Sequence, residues 1–246
     1  MLRFNKWTIA LIAGMIAYSG GAGYLTASFL ETGRSVRAMG MGNSFVAVAG
    51  DVDCLYYNPA GLADLKGMQL LFTYAQLAQQ IEGVGIGDGS AVIGTPLKNT
   101  KGVLGGSWSN LSLAGFYYED TYSVGYAQYI NKNTCVGVAG KMLRLGYQGE
   151  DVDNNSFFQT NGKTKQGFAI DAGVLAVLNP QLTVGASIKN IISPNMALGQ
   201  VEDKPPQVIR AGLTYDLGPK TPVLVSAEFN TDQTQNEMNG GAEVSL

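Results

Sequence analysis

Along much of the chain, apolar and polar residues alternate with a period of two. Phe168, Ile170, Ala172, Val174 and Ala176 interleave with Asp171 and Gly173. Leu182, Val184, Ala186 and Ile188 interleave with Thr183, Gly185, Ser187 and Lys189. Ile209, Ala211, Leu213, Tyr215 and Leu217 interleave with Arg210, Gly212, Thr214 and Asp216. Successive side chains of a strand point to opposite faces, so this pattern predicts strands with one apolar and one polar face. The runs approach the roughly 9–11 residues of a tilted membrane-spanning strand and exceed the usual strand of a soluble sandwich.

Short turns predict three hairpins. Asn131-Lys132-Asn133 joins Tyr122–Ile130 to Thr134–Arg144, Asn179-Pro180-Gln181 joins Phe168–Leu178 to Leu182–Asn190, and Gly218 to Pro222 joins Gln207–Leu217 to Val223–Asn230. Opposed residues of an antiparallel pair share a face. The first hairpin sets Tyr126 against Val138 outside and Ser123 against Lys141 inside. The second sets Ala172 against Ile188 outside and Asp171 against Lys189 inside. The third sets Ala211 against Phe229, with Arg210 diagonal to Glu228 inside. All three hairpins sort charge to one side.

Long polar inserts, Gly149 to Gln166 and Ser193 to Pro206, alternate with these turns, as the long extracellular loops of bacterial barrels alternate with short periplasmic turns. Met68 to Leu77 and Leu111 to Tyr118 read as further strands, and Gly83 to Lys101 as an irregular, kinked strand pair. About ten or eleven strands result. The fold class expected is therefore all-β, an antiparallel transmembrane barrel.

Composition agrees. Hydrophobic residues make up 46% and charged residues 14%, with 33 glycines and 12 tyrosines, as an apolar exterior and a polar lumen with interfacial tyrosines require. Residues 1–22 read as a signal peptide, with Arg3 and Lys6 before an apolar core and Ser19 to Ala22 as the cleavage region. That core is too short for a spanning helix. The net charge of −3 and the lack of a basic run argue against nucleic acid. Histidine is absent, which removes Ser-His-Asp and Cys-His systems and histidine-containing zinc sites. No carboxylate or lysine constellation replaces them, so neither an enzyme nor a cofactor or metal is expected.

Two motifs close the block from 33 to 62: Arg37-Ala38-Met39-Gly40-Met41-Gly42-Asn43 and Tyr57-Asn58-Pro59-Ala60-Gly61-Leu62. This block resembles the N-terminal signature of the FadL and PorV-like outer-membrane barrel superfamily. The resemblance implies a 14-stranded barrel with an N-terminal hatch folded inside it, hence residues 23–66 as hatch and 67–246 as wall. It singles out Arg37, Gly40, Gly42, Asn43, Tyr57, Asn58, Pro59 and Gly61 as hatch residues. The residues themselves suit a confined segment: they are small, Asn58 before proline is biased to extended backbone, and Gly61 is free to take positive φ. Fewer than 14 countable strands, and a last strand without a terminal aromatic residue, imply a C-terminally truncated member or half of a split gene.

The resemblance implies passive transport of hydrophobic small molecules such as long-chain fatty acids, in outer-membrane lipid and after insertion by the barrel-assembly machinery. One alternative is a PorV-like surface protein that binds or shuttles secreted proteins, as in type IX secretion. Another is a soluble secreted ligand-binding β-protein. Lumenal Lys141, Asp171, Lys189, Arg210 and Glu228 are candidates to line a solute path or hold a carboxylate head group, and equally to pair across strands. Cys54 and Cys135 permit a disulfide from hatch to wall, or two buried thiols. Gly85 to Gly89 lacks the helix and lysine of a phosphate loop, and Asp151 to Asn155 lacks the glycine and distal glutamate of a calcium loop.

Overall fold

The computed structural model describes residues 28–29, 34–77, 85–218, 223–231 and 236–244. The proposed leader, residues 1–22, lies outside them. Ten antiparallel strands form one sheet in sequence order: β1 (Gln69–Leu77), β2 (Ile86–Pro96), β3 (Gly102–Leu113), β4 (Tyr117–Tyr129), β5 (Thr134–Tyr147), β6 (Thr164–Val177), β7 (Leu182–Ile192), β8 (Val208–Asp216), β9 (Val223–Thr231) and β10 (Asn236–Val244). The fold is an antiparallel barrel wall wrapped around an N-terminal hatch. Among the described residues β1 and β10 pair only with β2 and β9.

The turns set the predicted register. Tyr126 opposes Val138 and Ser123 opposes Lys141, Ala172 opposes Ile188, and Ala211 opposes Phe229. The Asn131 and Asn179 side chains cap their turns by accepting from the amides two and three residues on. One pairing differs. A bulge between Ile170 and Ala172 moves the partner from Ile188 to Ile192, so Asp171 does not oppose Lys189. Asp171 instead accepts from the Asn190 amide at 2.8 Å, and Asn190 adopts φ 54°. An extra residue on one strand breaks the strict alternation that period counting assumes.

Two other expectations fail. The stretch read as irregular is, from Ile86 to Pro96, the regular strand β2, paired with β3 along its whole length and with β1 from Ile86 to Gly94. The stretch Leu111 to Tyr118 is a strand junction: Ala114 and Gly115 take φ 27° and 71° and turn β3 into β4. The polar insert after β5 carries two short helices, α3 (Glu150–Asp153) and α4 (Ser156–Asn161).

The outer face is apolar and bounded. Trp108, Tyr122, Met142 and Phe168 are successive cross-strand partners, forming a mostly aromatic row across β3 to β6. Two residues nearer the long loops, Asn110, Asp120, Arg144 and Gln166 form a polar row by the same pairings. Asp120 accepts from Trp108 Nε1 at 3.3 Å and Asn110 Nδ2 at 2.9 Å, and the Arg144 guanidinium lies over the Tyr118 ring. An aromatic girdle next to a polar row is what a barrel presents at a membrane surface. Among the described residues no helix is long and apolar enough to cross a membrane.

Candidate functional site: the hatch and the lumenal cavity

The hatch comprises α1 (Val36–Gly40), α2 (Cys54–Tyr57) and a 3₁₀ helix (Pro59–Asp64). Ser35 caps α1 by accepting from the Ala38 amide at 3.0 Å. Asn58 is extended, as the following proline requires, and its Oδ1 caps the 3₁₀ helix by accepting from Ala60 at 3.1 Å. Pro59 occupies the first turn, where no amide is missed.

The expected role of Gly61 is corrected. Its φ is not positive. It must be glycine because a Cβ would stand 2.5 Å from Val48 O and 2.6 Å from Cys54 Sγ. Gly42 takes φ 59°, and a Cβ there would stand 2.6 Å from Gly240 O on β10. Asn43 takes φ 60°, while Gly40 has open space around it.

The wall receives the hatch on a collar of lumen-facing glycines. Gly94, Gly105 and Gly125 leave room for Leu65, Leu62 and Leu55. Gly137, Gly173, Gly185 and Gly241 leave room for Pro59–Ala60, the Asn58 side chain, Val46 O and Met41. Several are cross-strand partners of one another, as Gly137 and Gly173 are. At Gly137, Gly185 and Gly241 the missing side chain admits a second backbone.

Side chains then fasten what the collar admits. Glu228 accepts from the Phe45 and Val46 amides, each at 2.8 Å, and forms a 2.8 Å ion pair with Arg210. Asn58 Nδ2 donates to Val46 O and Val174 O. Ser187 donates to Tyr57 O, and Thr214 to Ala47 O. Arg37 bridges Asp51 in the hatch and Glu243 on β10, each at 2.7 Å, and stacks over Phe45. Tyr57 packs on Phe45, with the Arg210 guanidinium over its ring. Burial raises the Tyr57 hydroxyl to about 12. Asp53 is buried, and desolvation lifts its carboxyl to about 6 against a hydrogen bond from Ser35.

Cys54 and Cys135 are free thiols, so the disulfide does not form. Cys54 Sγ is turned to Val48 O and Cys135 Sγ to Leu175 O, and both side chains are fully buried in the hatch–wall core.

Of the predicted lumenal charges, Lys141 pairs with Asp171 at 2.7 Å and donates to Asn190 at 2.6 Å. Lys141, Asp171 and Lys189 meet at one small cavity, which Phe29, Leu55, Tyr56 and Leu143 bound on the apolar side. Arg210 and Glu228 lie apart, under the hatch. The cavity also holds Arg34, missed by the sequence reading, whose Nε is buried without a hydrogen-bond partner and lies 4.0 Å from Asp88. Only its place at the start of the signature block could have pointed to it. Above the cavity Phe29 packs in a second cluster with Leu143, Leu145, Ala169 and Met196, its amide donating to both Glu119 oxygens.

The family model described as "F plasmid transfer operon, TraF, protein" matches residues 106–234, just over half of the chain. The chain belongs to this family. The matched segment runs from within β3 to beyond β9, so membership is written in the wall. No curated protein matches the chain. Among solved structures, the TodX ΔS2S3 mutant monoaromatic hydrocarbon channel is similar at a TM-score of 0.60 and 12% identity, over 87% of this chain and 75% of that one. The CymD monoaromatic hydrocarbon channel is similar at 0.57 and 11%, over 87% and 75%. The TodX ΔS2 mutant gives 0.56 and 11%, over 85% and 74%. At such identities the likeness is one of fold. It shows that this TraF-family chain shares the barrel fold of these channels, and it lends no support to the PorV-like branch.

Proposed function

We propose that the protein sits in the outer membrane and lets hydrophobic small molecules pass without energy input, long-chain fatty acids among them. The observation that carries this reading is the lumenal cavity, where apolar Phe29, Leu55, Tyr56 and Leu143 meet three basic side chains, Arg34, Lys141 and Lys189, with Asp171 paired to Lys141 and Asp88 4.0 Å from Arg34. Apolar walls with a few convergent polar groups suit an amphiphile, and the Arg34 guanidinium, whose Nε has no hydrogen-bond partner, suits an anionic head group. The bounded apolar exterior supports the membrane location, and similarity to barrels described as hydrocarbon channels supports the class of solute.

The test is uptake into vesicles carrying the protein, comparing a long-chain fatty acid with toluene. Arg34→Met and Lys189→Met should each slow the acid at least several-fold and leave toluene unchanged. Equal effects on both solutes would remove the head-group role. No uptake of either above protein-free vesicles would remove transport.

A further inference from the structure

We propose that residues 194–206, the return from β7 to β8, form a gate at the long-loop end of the lumen, latched by Asn190 as a positioning residue, and that solute reaches the cavity when this segment lifts. The passage of solute rests on the function proposed above; the lifting of the segment does not.

The sequence itself breaks the sheet here. The register of β7 and β8 ends at Lys189 and Val208, and its continuation would set Ile191 and Ile192 against Pro206 and Pro205, which have no N–H to donate. Side chains hold the return stem instead: Asn190 Nδ2 donates to Pro206 O at 2.7 Å and Ser193 Oγ to Pro205 O at 2.6 Å. The end of β7 stays on β6 through Ile192 and Ile170, so the return stem is the part that can swing. The segment is braced as a unit, since Met196 N donates to Asp203 O at 2.6 Å and Asn195 Oδ1 accepts from the Ala197 and Asp203 amides. It dips into the mouth. Met196 is 1% exposed, in one cluster with Phe29 and Leu143, two residues that bound the cavity, and glycine at 167 leaves room for Pro194 and Met196. Closure carries a cost of its own, because Asp203 Oδ1 is buried without a hydrogen-bond partner. Asn190 joins gate to cavity: its side chain accepts from Lys141 at 2.6 Å while donating to Pro206 O, and its amide donates to Asp171.

Gly167→Cys with Pro194→Cys makes a reversible lock. A Cβ built on Gly167 stands 2.4 Å from Pro194 Cβ, so a small outward shift of the stem seats a disulfide. In vesicles, oxidation of this full-length variant should slow a long-chain fatty acid and toluene alike, at least about tenfold, and reductant should restore both. Oxidised protein that transports as fast as reduced protein overturns the gate, and so does slowing of the acid alone, which would place the effect at the head group. Latching is read separately. In Met196→Cys, a membrane-impermeant maleimide should label position 196 at least about tenfold faster once Asn190→Gly is added, a change that keeps the left-handed backbone and removes the latch. Cys135, at 0% exposure in the hatch–wall core, should stay unlabelled in both, which separates lifting from general loosening. Equal labelling at 196 with and without Asn190→Gly, or labelling of Cys135 in step with it, overturns the proposal. Absent uptake by the reduced protein removes transport, and the labelling then decides the gate, as it does where the disulfide fails to form. If these variants do not fold, amide exchange in the wild type decides: Met196, Ala197 and Asp203 should exchange together and at least about tenfold faster than the amides of β7, and exchange as slow as that of β7 overturns the gate.

Discussion

Glu228→Ala should be among the most damaging single substitutions in the wall. The Glu228 side chain is fully buried and holds three donors: Arg210 Nη1 and the amides of Phe45 and Val46, each at 2.8 Å. Removing one partner of a buried ion pair costs about 3–5 kcal/mol because the other charge stays buried. The two amides add about 1–3 kcal/mol each if nothing replaces the carboxylate. These contributions overlap, since water entering the vacated space serves all three donors, so a loss on the order of 5 kcal/mol is expected. Glu228→Gln keeps one acceptor and should fall between. Arg210→Met with Glu228→Met removes both charges and should recover part of the loss, leaving the deficit of the two amides. The measurement is urea unfolding in detergent micelles, followed by Trp108 fluorescence and by the mobility of unheated samples on a gel. A Glu228→Ala protein within about 1 kcal/mol of wild type, or a double variant worse than the single, would refute the account.

Asn58→Ala removes a cap and leaves Val46 O and Val174 O without their donor, so a loss of about 2–4 kcal/mol is expected in the same titration, against almost none for the exposed Asn161→Ala. Asp53 has its pKa raised from 3.8 to about 6 in the folded state, which therefore binds the proton more tightly than the unfolded chain does. Stability should thus fall as pH rises through that window and level off above it, by at most about 3 kcal/mol; Asp53→Asn should flatten the profile, and an unchanged slope in that variant would contradict the assignment. Arg37→Met, losing a partly exposed network, should cost about 1–2 kcal/mol and speed amide exchange in β10 more than in β5. The protein should need detergent to leave membranes, and recovery of a folded soluble monomer without it would end the barrel reading.

The wall was legible because alternation and turn chemistry are local. Asn131, Asn179 and the Gly218 link fix where each hairpin folds, and period two then assigns every face, so Arg210 met Glu228 as expected. The reading failed where one residue departs from that geometry. Asn190 in the left-handed region and the bulge beside Asp171 exchange the partner of Asp171 from Lys189 to Lys141. Ala114 and Gly115 turn the chain inside a run that looked like strand. The signature block was visible as a unit, but its fastening was not. Arg37 finds Glu243 more than 200 residues away, and the collar consists of glycines whose meaning lies in what stands opposite them. A missing side chain leaves no periodic signal.

The aromatic row on β3 to β6 gives the molecule a built-in depth gauge. The chain has two tryptophans, and Trp7 falls in the segment read as leader, so a processed chain would carry a single indole, Trp108, pinned beside Asp120. Its emission and its quenching by lipids brominated at known carbons would then read out where this one row lies along the bilayer normal. The cross-strand pairings tie Tyr122, Met142 and Phe168 to the same row. One optical measurement thereby locates four strands in the membrane, and by their register the whole sheet.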